Sequence, residues 1–122
     1  MHELGLVFYV IDNVEKVAKE NNVKAVKKVT LEVGEVSGVV PSYFRDCYDW
    51  AIKKTEHMQH CELEMIIIEG ITYCRSCKKT YHTTEYGKEC PFCHSMDTYL
   101  VTGSDVMIKN IEVEEDEETK SE

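Results

Sequence analysis

The sequence predicts an α+β fold, in which two helices and a three-stranded sheet form one domain and a small cysteine-rich module is inserted between two strands. Apolar residues recur at helical spacing in two segments and alternate with polar residues in three others. Four cysteines lie together before the last of these strands. Residues 1–70 and 104–113 are therefore predicted to form the α/β domain, residues 71–103 the inserted module, and residues 114–122 an acidic, unstructured tail.

The first helix is predicted over residues 4–20, where apolar side chains three and four residues apart form one stripe. The members of this stripe are Val7, Val10, Ile11, Val14, Val17 and Ala18. Asn21 and Asn22 favour a helix end here, because asparagine adopts the left-handed backbone conformation that often terminates a helix.

A strand is predicted over residues 25–36, followed by a second helix that begins at Pro41. The strand alternates apolar Val29, Leu31 and Val33 with polar residues, and proline is favoured in the first turn of a helix. The predicted core face of the second helix consists of Tyr43, Phe44, Cys47, Tyr48, Ala51 and Ile52. Trp50 lies off this face and is available for contact with a partner.

Two more strands are predicted, at residues 62–69 and 106–113, and the second of them is expected to rejoin the sheet. In the earlier strand Leu63, Met65 and Ile67 alternate with Glu62, Glu64 and Ile66. The connector before it offers three potential metal donors, His57, His60 and Cys61. It is nevertheless predicted to be an exposed turn, because no rigid element fixes these side chains.

The four clustered cysteines form two Cys-x-x-Cys pairs separated by twelve residues: Cys74 with Cys77, and Cys90 with Cys93. Each pair places two thiolates on one side of a metal ion, and two pairs complete the tetrahedral sulfur shell of a structural zinc site. This spacing favours a zinc-ribbon-like module over a disulfide pair or a redox dithiol. Cys47 and Cys61 have no partner at ligand spacing and are predicted to be small buried side chains.

The formal net charge of −9 argues against a nucleic-acid partner, because phosphate binding requires a basic surface. No apolar run is long enough to cross a bilayer, so no membrane association is expected. Reduced cysteines at metal-ligand spacing point to the cytoplasm.

The N-terminal Met1-His2-Glu3 offers a second set of metal donors. The Met1 α-amine, the His2 amide nitrogen and the His2 imidazole can close two adjacent chelate rings, and Glu3 can add a carboxylate. Nitrogen donors in one plane suit Ni(II) or Cu(II). The alternative is that Glu3 only favours the positive end of the first helix and that His2 is a frayed terminal residue.

Three segments in order resemble the HypA family of nickel-insertion metallochaperones, which serve nickel–iron hydrogenase maturation and, in some organisms, urease maturation. They are the N-terminal MHEL, the segment LEVGEVSGV at residues 31–39, and the cysteine pairs followed by His94. The resemblance covers residues 1 to about 113. It implies that the protein is not an enzyme, and that its α/β domain binds nickel and contains a mixed sheet.

By this resemblance, Ni(II) is the transferred cargo, held by His2 and Glu3 with the Met1 amine and backbone nitrogens. Zn(II) is structural, held by Cys74, Cys77, Cys90 and Cys93. The implied partners are the GTPase HypB, a hydrogenase large-subunit precursor and, in some organisms, urease accessory proteins. We expect a monomer or a weak homodimer. Some family members have an acidic residue near the nickel where this chain has Val40, so that carboxylate is unavailable here.

The competing hypothesis is a zinc-ribbon module for protein interaction, without specific nickel binding. A further hypothesis concerns His82 and His94, which lie near the cysteines in sequence. Because imidazole side chains in general change charge near neutral pH, such a change beside the cysteines would adjust the zinc shell.

Overall fold

The computed structural model describes residues 3–114, and the predicted acidic tail lies outside this range except for Glu114. The helices and strands follow in the order α1 (Glu3–Glu20), β1 (Ala25–Gly34), α2 (Pro41–Ala51), β2 (Glu62–Ile68), β3 (Ile71–Cys74), β4 (Thr80–His82), α3 (Thr83–Tyr86), β5 (Thr98–Thr102) and β6 (Val106–Glu114). A single 3-10 turn, Ile52–Lys54, extends α2. The two long helices and three long strands agree with the predicted elements within two residues.

Two three-stranded sheets are present, with strand orders β2-β1-β6 and β4-β3-β5. Residue numbers rise together along β1 and β2, where the Thr30 hydroxyl donates to the Glu64 carboxylate and the Glu35 amide donates to the Ile68 carbonyl, as expected for parallel strands. They run in opposite directions along β1 and β6, where the Gly34 amide donates to the Asp105 carbonyl and the Lys24 amide donates to the Glu114 carbonyl. The first sheet is therefore mixed, and the second belongs to the cysteine module. The predicted α+β fold with an inserted zinc-ribbon-like module is confirmed.

The chain divides into two compact units. Among the described residues, the first unit comprises 3–31, 40–65 and 108–114, and the second comprises 32–39 and 66–107. The second unit thus takes in residues of the turn after β1 as well as the cysteine module. The predicted domain boundaries at residues 70 and 104 stay a prediction.

Most buried side chains of the first unit come from α1, α2 and β1, largely as predicted, and Met58 of the connector and Leu63 of β2 add to them. The α1 stripe is buried except for Val17, which lies at its edge and is 41% exposed. Phe44, Tyr48 and Ala51 of α2 are buried. Tyr43 was wrongly predicted to be in the core: it lies about 100° around the helix from Phe44 and is 65% exposed.

The two cysteines outside the metal pairs differ in burial. Cys61 is buried, as predicted, and its carbonyl accepts a hydrogen bond of 3.3 Å from the buried Tyr48 hydroxyl. Burial raises the pKa of both the Cys61 thiol and the Tyr48 hydroxyl. Cys47 is only half-buried. The Ile67 side chain on β2 is exposed, whereas Leu63 of the same alternating set is buried.

Three glycines bring separate backbone segments together in the second unit. A Cβ atom built on Gly34 would collide with the Gly103 carbonyl, and one built on Gly103 would lie 2.6 Å from the Gly70 Cα. Gly103 also has a φ of +100°, a conformation that side chains disfavour. The close approach lets the Gly103 carbonyl accept a 2.9 Å hydrogen bond from the Val36 amide.

Candidate metal sites

The four cysteines of the two pairs converge on one point, with all four Sγ atoms within 4.8 Å of one another. The Cys74–Cys93 and Cys77–Cys90 sulfurs are each 3.6 Å apart. A disulfide requires about 2.05 Å, so these are not disulfide-bonded sulfurs. Metal–sulfur bonds of about 2.3 Å in a tetrahedron place neighbouring sulfurs about 3.8 Å apart. The sulfur positions therefore fit a closed tetrahedral shell.

Two matching turns present these sulfurs. The amide of Lys78 donates to the Cys74 carbonyl, and the amide of His94 donates to the Cys90 carbonyl, each at 2.8 Å. Lys78 and His94 both have left-handed backbones, with φ of 62° and 63°. The Ser76 and Ser95 hydroxyls, 2.8 Å apart, link the two turns. Each Cys-x-x-Cys pair is thus followed directly by a residue in the left-handed conformation, Lys78 or His94, which reverses the chain direction.

Lys78→Gly is expected to stabilise the module by about 1 kcal/mol, because glycine adopts a left-handed backbone without the steric cost of a Cβ atom. Thermal unfolding of the metal-loaded protein measures the change. Lys79→Gly, at the neighbouring exposed position, is the control and should not stabilise; an equal gain at both positions would contradict the argument.

The pKa is lowered for the Cys74 and Cys90 thiols and raised for the Cys77 and Cys93 thiols, so the surroundings favour the thiolate at one cysteine of each pair. Amide hydrogens of Cys77 and Ser76 point to the Cys74 sulfur and, with Cys77 the larger contributor, lower the pKa of Cys74 to about 7 against the opposing effect of burial. The Phe92 amide likewise donates to the Cys90 sulfur at 3.4 Å. Thiolates are the form that binds metal, and a shell of four leaves no coordination position for a substrate. The four cysteines can therefore form a structural metal site.

Among the described residues, neither histidine of the module belongs to the sulfur cluster. His82 Nε2 lies 2.9 Å from a Glu69 carboxylate oxygen, and His94 Nδ1 lies 3.0 Å from Glu89. The hydrogen bond to Glu69, together with its charge, raises the pKa of His82. An influence of either histidine on the metal shell stays a prediction.

Glu69→Gln is expected to lower the pKa of His82 towards its ordinary value near 6.5, because the principal acceptor loses its charge. The raised pKa means that this pair stabilises the fold below the unfolded pKa, and that the contribution is lost as pH rises through the folded pKa. NMR titration of the His82 ring measures the shift. Glu85→Gln, which removes a carboxylate 4.0 Å away, should have a smaller effect, and equal effects would contradict the assignment.

Of the predicted nickel ligands, only Glu3 is among the described residues, and it begins α1. Met1 and His2 lie outside them. Beside this end of α1 is an apolar groove of about 340 Å³, lined by Leu4, Tyr43, Asp46, Cys47 and Trp50. The Trp50 ring meets Phe8 edge to face, with ring centroids 6.4 Å apart. Trp50 is half exposed, as its position off the predicted core face implied.

The connector before β2 was predicted as an unfixed, exposed turn, and this is wrong for its first half. Met58 is fully buried, and only 14% of the His57 side chain is exposed. Glu15 on α1 fixes His57 through two hydrogen bonds. The sequence gives no local indication of this contact, because Glu15 lies on α1, far along the chain from His57. His60 and Cys61 are not in a metal-competent group among the residues described.

Comparisons with known proteins identify relatives over nearly the whole chain. Residues 1–113 match the family model described as HypA, hydrogenase/urease nickel incorporation, metallochaperone. The hydrogenase maturation factor HypA of Dechloromonas aromatica is 33% identical over 114 residues, covering 93% of this chain and 100% of that protein. The factor of the same name from Aquifex aeolicus is 33% identical over 116 residues, covering 95% and 100%.

Solved structures share the fold. The solution structure of the nickel metallochaperone HypA from Helicobacter pylori superposes with a TM-score of 0.71 at 20% identity, covering 95% of this chain and 100% of that one. A second HypA solution structure gives a TM-score of 0.70 at 23% identity, covering 93% and 96%. In the described part of this chain, no helix is both long and apolar enough to span a membrane.

Proposed function

The chain belongs to the HypA family of hydrogenase and urease nickel-incorporation metallochaperones, and on that premise we propose that it binds its Ni(II) cargo through Met1, His2 and Glu3. Members of this family are maturation factors and not enzymes. The observation that carries the N-terminal site is the donor set itself. The Met1 amine, the His2 amide nitrogen and the His2 imidazole can close adjacent chelate rings in the sequence that precedes Glu3.

These N-terminal donors suit nickel better than zinc. Nitrogen ligands in one plane match the square-planar preference of Ni(II), whereas thiolates suit zinc. Because the nitrogens must lose protons to bind, we expect nickel affinity to fall as pH drops. A site at the chain terminus can also be taken apart without unfolding the domain, as delivery of a cargo metal requires.

The proposal assigns Zn(II) to Cys74, Cys77, Cys90 and Cys93, with a structural role. The sulfur spacing and the absence of an open position in a four-thiolate shell support zinc over a metal that reacts or is passed on. The two metals thus bind through different donor chemistry, which would keep the resident ion apart from the cargo. Reduced thiols of this kind persist in the cytoplasm, where we place the protein.

The proposed partners follow from the family's role in maturation. A hydrogenase large-subunit precursor would receive the nickel, and the GTPase HypB would act with this chain in its delivery. In an organism that makes urease, its accessory proteins would be further partners. Nickel-dependent changes in binding to purified HypB and precursor would support these assignments.

Nickel titration by calorimetry tests the N-terminal site, using zinc-loaded protein with a native, untagged N-terminus. We expect His2→Ala to lose binding of about one nickel ion per chain while keeping its zinc, because the imidazole and its chelate ring are gone. Glu20→Gln, which removes an exposed carboxylate at the other end of α1, is the control. Unchanged nickel binding in His2→Ala would contradict the N-terminal site, and no nickel binding by either protein would favour a zinc-ribbon interaction module instead.

A further inference from the structure

A second cluster of metal-competent side chains lies in the first unit. Glu15 on α1 faces Glu56 and His57, which precede β2 in the connector. Each of the three offers one ligand atom, and these atoms all lie within 4.8 Å of one another. The set combines one imidazole with two carboxylates from two distant parts of the chain, and contains no thiol. Its chemistry therefore differs from that of the cysteine cluster.

Glu15 and His57 are already held in place. The Glu15 Oε2 atom accepts a 2.8 Å hydrogen bond from the His57 backbone amide, and Glu15 Oε1 lies 2.7 Å from His57 Nδ1. Only 21% of the Glu15 side chain and 14% of the His57 side chain are exposed. The backbone bond fixes the carboxylate independently of the ring, so Oε1 and Nδ1 stay close whether a proton or another cation lies between them.

The surroundings of the cluster allow a cation to enter. Glu56 and His57 line a cavity of about 510 Å³, whose further carboxylates are Glu62, Glu112 and Glu114. Two lysines also line this cavity: Lys28 bonds to Glu64 at 3.2 Å, and Lys27 is exposed. Water in a cavity of this size can complete the coordination shell of an ion held by three protein ligands.

We propose that Glu15, Glu56 and His57 bind a divalent transition-metal ion of the class that mixed imidazole and carboxylate ligands accept, such as Ni(II), Co(II) or Zn(II). The ion takes the place of the proton between His57 Nδ1 and Glu15 Oε1. Two ligands about 2.1 Å from one ion are about 3.0 Å apart or more, so the 2.7 Å pair needs to open by only a few tenths of an ångström. Glu56, which is exposed, closes the site from the cavity side.

The proposal does not depend on the N-terminal nickel site. A purely structural role for this cluster would be a hydrogen-bonded link from α1 to the connector, in which Glu15 and His57 take part and Glu56 does not. Glu56 therefore separates the two roles. Metal binding requires its carboxylate, whereas the link does not.

The test is a nickel chloride titration of protein that holds one zinc ion per chain, with excess zinc removed, in four forms: unaltered, His2→Ala, Glu56→Gln, and both substitutions together. In the His2→Ala background we expect a remaining nickel site, weakened at least tenfold by Glu56→Gln. NMR should show the His57 ring resonances shifting with nickel in His2→Ala protein. Glu20→Gln in the same background is the matched control and should leave the remaining site unchanged.

Different outcomes contradict the N-terminal site and the Glu15, Glu56 and His57 site. If Glu56→Gln leaves the remaining affinity unchanged, or if no nickel binds once His2 is replaced, the Glu15, Glu56 and His57 site is wrong. If nickel binding is lost with Glu56→Gln alone and His2→Ala has no effect, the N-terminal site is wrong and this cluster is the nickel site. Thermal unfolding without nickel should be the same for Glu56→Gln and unaltered protein, since Glu56 makes no part of the structural link.

Discussion

Cys90→Ser is expected to remove the metal from the cysteine cluster and to unfold the cysteine module, which includes β3, β4 and β5. The buried core of this module consists of Cys74, Tyr81 and Cys90, with Cys77 packed against them, so its centre is made largely of metal ligands. Without the ion, little apolar surface remains to offset the entropy of ordering the chain. Structural zinc contributes about 10–16 kcal/mol of binding free energy in small modules of this kind.

Metal content and amide dispersion in NMR spectra measure this effect. We expect Cys90→Ser to carry no zinc and to lose the dispersed signals of β3, β4 and β5. Cys47→Ser is the matched control, because Cys47 lies outside the cluster and is only half-buried; it should keep its zinc and its spectrum. A Cys90→Ser module that stays folded without metal would contradict a structural role for the ion.

Gly103→Ala is expected to destabilise the protein by about 3 kcal/mol. The added Cβ atom would lie 2.6 Å from the Gly70 Cα and 2.8 Å from the Glu69 carbonyl oxygen. These neighbours are backbone atoms, which cannot turn aside as a side chain would. The left-handed φ of +100° adds a steric cost of its own.

Urea unfolding of the zinc-loaded protein measures the change. Gly5→Ala is the matched control, because no atom lies within 4 Å of its added Cβ and the position is inside α1. It should stabilise by up to about 1 kcal/mol, since alanine is the better helix former. The same sign for both substitutions would show that close packing at Gly103 is not the cause.

Local patterns predicted the helices and strands of this fold well, because the spacing of apolar residues follows the period of each element. The α1 stripe and the start of α2 at Pro41 are examples. Asn22 ends α1 with a φ of 53°, as its residue type predicted. The errors fall at the edges of apolar stripes, where Val17 and Tyr43 are exposed, since spacing alone does not tell how wide a face the neighbouring elements cover.

The cysteine cluster and the Glu15–His57 contact also differ in how far local sequence predicts them. The cysteine cluster was predictable because all of its donors lie in two short motifs whose spacing reflects the geometry of the metal. The contact of Glu15 with His57 was not, because 42 residues separate its partners and neither has a motif around it. The contact among Gly34, Gly70 and Gly103 could not be predicted for the same reason. Each glycine by itself indicates only a turn, and the three meet only in the folded chain.

Nickel incorporation in cells shows whether the N-terminal site delivers the metal. In a host that lacks its own HypA protein, the native chain and His2→Ala are expressed at equal levels without N-terminal tags, and the nickel content of the hydrogenase large subunit is measured. The native chain is expected to restore nickel, whereas His2→Ala, with its zinc module intact, is not. Equal restoration by both proteins would contradict delivery of nickel through the N-terminal site.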